Sequence, residues 1–324
     1  MKNAKISRRS FLLGLAACSA AGILTACKGA DTPASSASTS PEAPASSVSE
    51  LEPIGLFSPE EFPKLDGSTA CIPLMAQMMA DTTGIDLEAA QSGISVSTTA
   101  YAWENFGLYP DEDYTAKMLV VYEAPDYVKE ELKEANAQLE QKPIGRDALV
   151  FIVNENNPVQ SLTRQQLKDI YAGKITNWKD VGGDDLAIVP FQRGEDSGSQ
   201  TLFQKLLIQG GELMEAPTEL APTEMGGLVD RIAEFNHSAN AIGFSVYYYI
   251  DQMYSKPGLR LLAVDGVLPS NESIADQRYP LCNAFYAAVR QDSAEGTPER
   301  KVYDWLSTDA GRACIIKSGY VAAT

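Results

Sequence analysis

The sequence predicts an α/β protein, and two features of its 324 residues support this class. Short apolar runs typical of buried strands alternate with longer runs typical of helices, a pattern that favours mainly parallel sheets flanked by helices. Apolar residues make up 44% of the chain and charged residues 21%, as in a folded protein with a sizeable core. The length suggests about two domains.

Residues 1–26 predict an export signal. Four basic residues fall among the first nine, and the apolar run over residues 11–26 is shorter than the roughly 20 residues of a membrane span. Residues 7–12 resemble a twin-arginine export motif. Residues 24–27 resemble a lipobox, in which Cys27 is lipidated and becomes the new N-terminus. The alternative is a plain signal peptide with an accidental cysteine.

Residues 27–57 predict a lipidated cysteine followed by a flexible tether. Residues 30–50 are almost all Ala, Ser, Thr, Pro, Asp and Glu, which bury too little apolar surface to fold. Loss of residues 1–26 removes four basic and no acidic residues, so the net charge changes from −17 to −21. Because a protein that binds nucleic acid needs a basic surface, this acidity argues against that class. We expect a protein anchored by lipid to the outer face of a bacterial cell membrane.

The elements after the tether alternate in type along the chain. Unbroken apolar runs predict the strands, and helical spacing of apolar residues or richness in Glu, Lys and Ala predicts helices. Thr163 and Gln166 form a capping-box pattern, and Gly173 ends the helix that this box begins. The predicted helices cover residues 72–79, 127–141, 164–172, 200–208, 228–235 and 298–306. The predicted strands cover residues 117–122, 148–153, 186–191, 242–249, 259–264 and 285–289.

The most informative stretch lies between the strand that ends near residue 191 and the helix that begins near residue 199. It contains Arg193, Ser197, Gly198 and Ser199. A helix start offers free N–H groups, glycine allows a ligand close to the backbone, serine donates, and arginine grips an oxyanion with two parallel bonds. These residues therefore predict a site for a tetrahedral anion. The alternative is a serine cap beside an arginine in a surface ion pair.

Two further predicted helix starts also carry hydroxyl side chains that could donate to an anion. Gly67 is followed by Ser68 and Thr69, and Thr98 by Thr99. Each pattern is also that of an ordinary helix cap, so each is open to both interpretations.

Several motifs, in the same order along the chain, resemble those of the phosphate-binding lipoproteins of bacterial ABC transporters. The resemblance covers most of residues 62–324. It is carried by Gly67-Ser68-Thr69 with Pro73-Leu74, by Pro158-Val159 with Leu162-Thr163, by residues 170–183 (IYAGKITNWKDVGG), by residues 193–199, and by Ser318-Gly319-Tyr320-Val321.

The resemblance implies a two-lobed periplasmic-binding-protein clamshell of class II, with the ligand buried between the lobes. Lobe one would comprise residues 58–145 and 248–324, and lobe two residues 146–247. The chain would cross between the lobes near residues 144–150 and again near residues 242–249.

The resemblance also implies the site residues. The phosphate contacts would come from hydroxyls, backbone and guanidinium of both lobes: Ser68, Thr69 and Thr99 from lobe one, and Arg193, Ser197, Gly198 and Ser199 from lobe two. Glu195 stands where the family often has an acid that braces the arginine.

The chain departs from the family after its strand at residues 119–121. Many members have a serine followed by an acid or arginine there, whereas this chain has Tyr122 and Glu123. Glu123 would accept the proton of hydrogen phosphate and repel fully ionised sulfate. The alternative is a surface glutamate that follows an edge strand.

We expect no metal, no cofactor and no enzymatic activity. The single histidine, His237, excludes multi-histidine metal sites and would have to serve any hydrolase triad. No CxxC pair is present. Cys282 and Cys314 either form a disulfide or stay free, and Cys71 has no obvious partner.

The expected function is capture of inorganic phosphate, or a similar oxyanion, by a monomer that presents it to an ABC permease. The alternative is a surface sensor or adhesin on the same fold, with a different oxyanion or none.

Overall fold

The computed structural model describes residues 56–215, 225–234 and 239–323. The predicted signal peptide, Cys27, His237 and most of the predicted tether lie outside these residues. Leu56 and Phe57, the last two residues of that tether, are already part of the folded body. Their backbone N–H groups donate to the Thr82 carbonyl over 2.8 and 3.3 Å, and the Phe57 ring is buried.

Helices and strands alternate through this body. The helices are α1 Ile72–Thr83, α2 Leu87–Gly93, α3 Thr99–Leu108, α4 Asp126–Glu134, α5 Arg164–Tyr171, α6 Gly198–Leu202, α7 Met225–Glu234, α8 Asn271–Ala275, α9 Pro298–Trp305 and α10 Asp309–Lys317. The strands are β1 Leu65–Gly67, β2 Met118–Val121, β3 Leu139–Asn154, β4 Ser161–Leu162, β5 Val189–Pro190, β6 Ala241–Val246, β7 Leu259–Leu261, β8 Ala263–Val264, β9 Cys282–Arg290 and β10 Val321–Ala322. The predicted α/β class is confirmed.

Local signals place several of these elements. The predicted capping box at the start of α5 is present, with Thr163 accepting from the backbone of Gln166 and the Gln166 side chain reaching back. Gly173 follows α5 with a φ of 72°, a left-handed value that favours glycine. Among the described residues, no helix combines the length and apolar character needed to span a membrane.

The strands form one main sheet in the order β1-β2-β9-β3-β6-β5, with β7 and β10 also paired to β3. The expected parallel pairing occurs between β1 and β2 and between β5 and β6. The long strands pair antiparallel, β9 with β2 and β3, and β3 with β6. The sheet is therefore parallel toward its two ends and antiparallel through its middle.

Strand β3 takes part in both halves of this sheet. Its residues 139–148 pair with β9, and its residues 149–153 pair with β6. The first predicted crossing, residues 144–150, lies within this strand. The lobe boundaries themselves stay a prediction.

Two predicted elements end in the wrong place. The helix predicted over residues 127–141 stops at Glu134, because Asn136 takes a left-handed φ of 50° and the chain then enters β3. The strand predicted over residues 242–249 stops at Val246, and a π-helical turn covers Tyr249–Met253. The tyrosine run at 247–249 is buried, as a strand would be, but it is helical.

The three cysteines of the described body, Cys71, Cys282 and Cys314, are free thiols. The structure thus favours the second of the two alternatives for Cys282 and Cys314. Cys71 and Cys314 are buried, and burial raises the pKa of both thiols. Burial also raises the pKa of Cys282, to about 11.

Candidate functional site

A cavity of about 700 Å³ lies where strands β1 and β5 end. Ligands bind at this position, beyond the carboxyl ends of parallel strands, in many α/β proteins. The cavity is lined by Thr69, Thr98, Thr99, Tyr101, Arg193, Gly194, Asp196, Ser197, Gly198, Gly226, Gly227, Asp230, Tyr249 and Tyr254. It thus brings together the three helix starts that the sequence singled out.

The first wall of the cavity is the turn from β1 into α1. Gly67 has a φ of 155°, and a Cβ atom there would stand 1.8 Å from the Val120 carbonyl oxygen, so only glycine fits. Ser68 is buried, and its hydroxyl oxygen accepts from the Tyr122 N–H over 3.0 Å. These contacts fix the backbone that presents Thr69 to the cavity.

The second wall is the start of α3. Thr98, the residue before this helix, has φ 79° and ψ 171°, a combination that a β-branched residue rarely adopts. The hydroxyls of Thr99 and Ser68 lie 2.7 Å apart and share a hydrogen bond. The first two walls are therefore joined side chain to side chain.

The third wall is the loop from β5 into α6. Arg193 is buried, and its backbone N–H donates to the Gln200 side chain over 3.0 Å. The Ser197 and Ser199 hydroxyls lie 3.0 Å apart. Helix α6 continues directly as a π-helical turn, Phe203–Ile208. A Cβ atom at Gly198 would stand 2.5 Å from Thr99 Oγ1, so this wall touches the second one.

The predicted site residues fall into three groups. The first group lines the cavity: Thr69, Thr99, Arg193, Ser197 and Gly198. Ser68 and Ser199 stand behind this layer and hydrogen bond to Thr99 and Ser197. Glu123 and Glu195 belong to neither layer.

Glu123 lines a different cavity, together with Lys129 and Lys205. Its carboxylate pairs with Lys129 Nζ at 2.7 Å and also with Lys205 Nζ. Burial opposes ionisation, but the two lysine hydrogen bonds outweigh it and lower the pKa of Glu123. The structure therefore places Glu123 in an ion-pair cluster apart from the cavity of Arg193.

Glu195 is exposed, and its neighbour Asp196 lines the cavity instead. The Asp196 carboxylate accepts from the Tyr127 hydroxyl over 2.5 Å and from the Tyr101 hydroxyl over 3.2 Å. Burial and this carboxylate raise the pKa of Tyr127. The loop after β5 is thereby tied to helices α3 and α4.

The remaining wall of the cavity was not predicted from the sequence. Asp230 lies on α7, and Tyr249 and Tyr254 begin and follow the π-helical turn, with their rings stacked 5.7 Å apart. Of these three residues, only Tyr249 falls in a predicted strand, that over residues 242–249, and none was predicted to line the site. Asp230 pairs with Lys256 Nζ at 2.8 Å and accepts from the Tyr254 hydroxyl.

A buried hydrogen-bond chain continues behind the first wall. The Tyr122 hydroxyl donates to Asp147 over 2.5 Å, and the Tyr248 N–H donates to the same carboxylate over 3.1 Å. Burial raises the pKa of Asp147 to about 6. The chain links the cavity wall to both segments where crossings were predicted, because Asp147 lies on β3 and Tyr248 follows β6.

Among the described residues, the lining of the cavity includes the Arg193 guanidinium, hydroxyls and helix-start N–H groups, which together are a donor set for an oxyanion. In the described residues, no group of three or more His, Cys, Asp or Glu side chains is placed to hold a metal ion.

Comparison with known proteins gives consistent results. The phosphate-binding protein PstS of Bacillus subtilis is 29% identical over 173 residues, which are 53% of this chain and 54% of that protein. The protein of the same name from Borreliella burgdorferi is 22% identical over 81% of this chain and 90% of its own length. The chain thus spans about half of the first relative and most of the second.

Solved structures show the same fold. A structure with bound phosphate from Clostridium perfringens, described as a candidate phosphate ABC transporter substrate-binding protein, has a TM-score of 0.60 at 24% identity. The match covers 80% of this chain and 98% of that one. An ABC-type phosphate transport receptor from Vibrio cholerae has a TM-score of 0.57 at 23% identity, over 79% of this chain and 98% of the receptor.

A sequence profile of the PBP superfamily domain matches residues 118–307, which is more than half of the chain. This match establishes the family: the chain belongs to the PBP superfamily.

Proposed function

We propose that this protein is an extracytoplasmic solute-binding protein that captures inorganic phosphate for an ABC importer. The observation that carries the proposal is the convergence of three helix starts and the buried Arg193 on one cavity. The names of the relatives, phosphate-binding proteins, support phosphate as the ligand.

The donors suit a tetrahedral oxyanion. The Arg193 guanidinium would hold two oxygens with parallel charge-assisted bonds, and the hydroxyls of Thr69, Thr99 and Ser197 would serve the others. The absence of a side chain at Gly198 lets the ligand approach the backbone. No covalent chemistry is needed, since capture and release are changes of population between open and closed forms.

The distribution of these donors supports closure around the ligand. Thr69 and Thr99 belong to the predicted lobe one, and Arg193 and Ser197 to the predicted lobe two. A ligand that bonds to both binds the closed form more tightly than the open one, and this difference in affinity drives closure. We keep residues 58–145 with 248–324, and 146–247, as the proposed lobes.

The unusual backbone of Thr98 is a second support. A threonine at φ 79° and ψ 171° costs on the order of 1–3 kcal/mol, and such residues concentrate at ligand sites. Thr98 lines the cavity. This unusual backbone therefore lies at the start of α3, beside the position proposed for the ligand.

Calorimetric titration with phosphate and then sulfate tests the proposal. The purified protein is unfolded and refolded first, to remove bound ligand. Phosphate should bind with nanomolar to micromolar affinity and Arg193→Ala should abolish binding, whereas Arg312→Ala, an exposed arginine paired with Asp309, should not. Phosphate binding by the Arg193→Ala variant would refute the site, and no binding by the unaltered protein would refute the function.

Membrane attachment through Cys27 is part of the same proposal. Cys27→Ser should move the protein from the membrane fraction to the soluble fraction in cells that export it. Continued membrane attachment of the variant would refute lipidation at this residue.

A further inference from the structure

The cavity is larger than a simple oxyanion requires, although its walls already touch. Gly198 packs against Thr99, and the Asp196 carboxylate accepts from Tyr127 over 2.5 Å. With these contacts made, the cavity still has a volume of about 700 Å³. This volume is in the range of pockets that hold organic ligands of many heavy atoms, whereas phosphate has five. Closure around the phosphoryl end therefore leaves room for a substituent.

The charges of the lining indicate what that substituent carries. The lining contains Arg193 and two carboxylates, those of Asp196 and Asp230. Asp230 is already neutralised by Lys256 at 2.8 Å. Asp196 accepts only from tyrosine hydroxyls and has no cationic partner within 4.0 Å in the described part of the chain. A carboxylate of this kind beside an anion site disfavours a bare anion and favours a ligand with a positive group.

The aromatic lining favours the same group. Tyr101, Tyr249 and Tyr254 line the cavity. The Tyr254 ring has the Lys256 ammonium 5.0 Å from its centroid on one side, so this wall already contacts a positive charge within the protein. Tyrosine faces together with carboxylates are the chemistry by which proteins bind alkylammonium groups.

We propose that the cavity also binds phosphate or phosphonate monoesters that carry an ammonium group, and binds them more tightly than inorganic phosphate. The phosphoryl end would occupy the donors of Arg193 and Ser197, and the ammonium would pair with Asp196. This inference rests on the proposed function, because it uses the same oxyanion donors for the phosphoryl end.

The test compares three probes by calorimetry on the purified protein: inorganic phosphate, ethyl phosphate and phosphoethanolamine. Ethyl phosphate carries the ester without the ammonium and so isolates the positive charge. Phosphoethanolamine should bind about tenfold more tightly than ethyl phosphate, the increment of one charged hydrogen bond. It should also bind more tightly than inorganic phosphate.

An Asp196→Asn variant assigns the preference. Asparagine keeps the size of the side chain and can still hydrogen bond to both tyrosines, so the change removes mainly the charge. The variant should lose the advantage of phosphoethanolamine over ethyl phosphate, measured as the ratio of the two affinities within the same variant. Asp126→Asn is the matched control for net charge, because this exposed aspartate pairs with Lys129 outside the cavity.

The outcomes separate this inference from the proposed function. If inorganic phosphate binds but the ammonium gives no advantage, the inference is wrong and the proposed function stands. If the advantage persists in Asp196→Asn, the role of Asp196 is wrong. If none of the three probes binds, both proposals fail.

Discussion

Gly67 and Gly198 both lie where the chain passes into a helix beside the cavity, but they are held there by different neighbours. A Cβ atom at Gly67 would meet the Val120 carbonyl, a backbone atom of the paired strand β2. A Cβ atom at Gly198 would meet the side chain of Thr99, on the opposite wall. The position of the first turn is fixed by the sheet, whereas the position of the second turn depends on a contact across the cavity.

The difference indicates how the two sides contribute to binding. The side of Thr69 is set before a ligand arrives, because the β1–β2 pairing and the buried Ser68 fix it. The position of the side that holds Arg193 depends on two contacts. Gly198 packs against the opposite wall, and Asp196 accepts a hydrogen bond from Tyr127. Mutations on the first side should therefore change stability, and those on the second should change ligand binding.

The largest effect is expected for Gly67→Ala. The added methyl would overlap the Val120 carbonyl oxygen at 1.8 Å, and neither strand can move without breaking the sheet. The free energy of unfolding should fall by about 4 kcal/mol or more, measured by urea denaturation. Gly93→Ala is the control, since a Cβ atom there meets nothing within 4 Å. Equal stability of the two variants would contradict a rigid first side.

Asp147→Asn should show how stability depends on pH behind the first side, which is the side that holds Thr69. The pKa of Asp147 is raised by burial from 3.8 to about 6, so its ionisation costs stability as pH rises through that interval. The variant lacks this cost and should gain up to about 3 kcal/mol over the unaltered protein between pH 4 and pH 7. Urea denaturation at several pH values measures the difference. A difference independent of pH would show that Asp147 does not titrate in this range.

Gly198→Ala should weaken binding with little effect on stability. The methyl would stand 2.5 Å from Thr99 Oγ1, so the two walls would be pushed apart. Phosphate affinity should fall by at least about tenfold, measured by calorimetry. A Thr99→Ala background removes the colliding atom, and the Gly198→Ala change should then cost less. The same cost in both backgrounds would show that the contact is not the cause.

The smallest effect is expected for Tyr127→Phe. Loss of the hydroxyl removes one of two hydrogen bonds to Asp196 and should speed phosphate dissociation by roughly threefold. Stopped-flow kinetics with Tyr109→Phe, an exposed tyrosine, as control would measure it. An unchanged dissociation rate would mean that this bond does not hold the second side in place.

The distinction between local and distant contacts also decides what could be predicted from the sequence. Arg193, residues 197–199 and residues 67–69 were identifiable because their chemistry is local: a glycine, hydroxyls and a helix start within a few positions. Asp196, Tyr101 and Tyr127 were not, because their roles depend on contacts between residues up to 95 positions apart. Glu123 was named from the resemblance alone, and only the structure shows that two lysines engage it.

The order of elements was predictable for a similar reason. Apolar runs identify strands that are buried along their length, such as residues 148–153. Such runs do not show that β3 begins earlier, at Leu139, where half-exposed residues pair with β9. Nor does local composition show that residues 247–249 are helical, because buried tyrosines fit either backbone equally well.

The three thiols of the described body have a practical consequence. Because a thiolate is the reactive form and burial raises the pKa of Cys71, Cys282 and Cys314, alkylating reagents at neutral pH should spare all three in the native fold. A cysteine introduced on the cavity rim would then be the only site of the folded body to react. A fluorophore attached there would report occupancy by the proposed ligand directly, so the chain could serve as the scaffold of an optical sensor for that ligand.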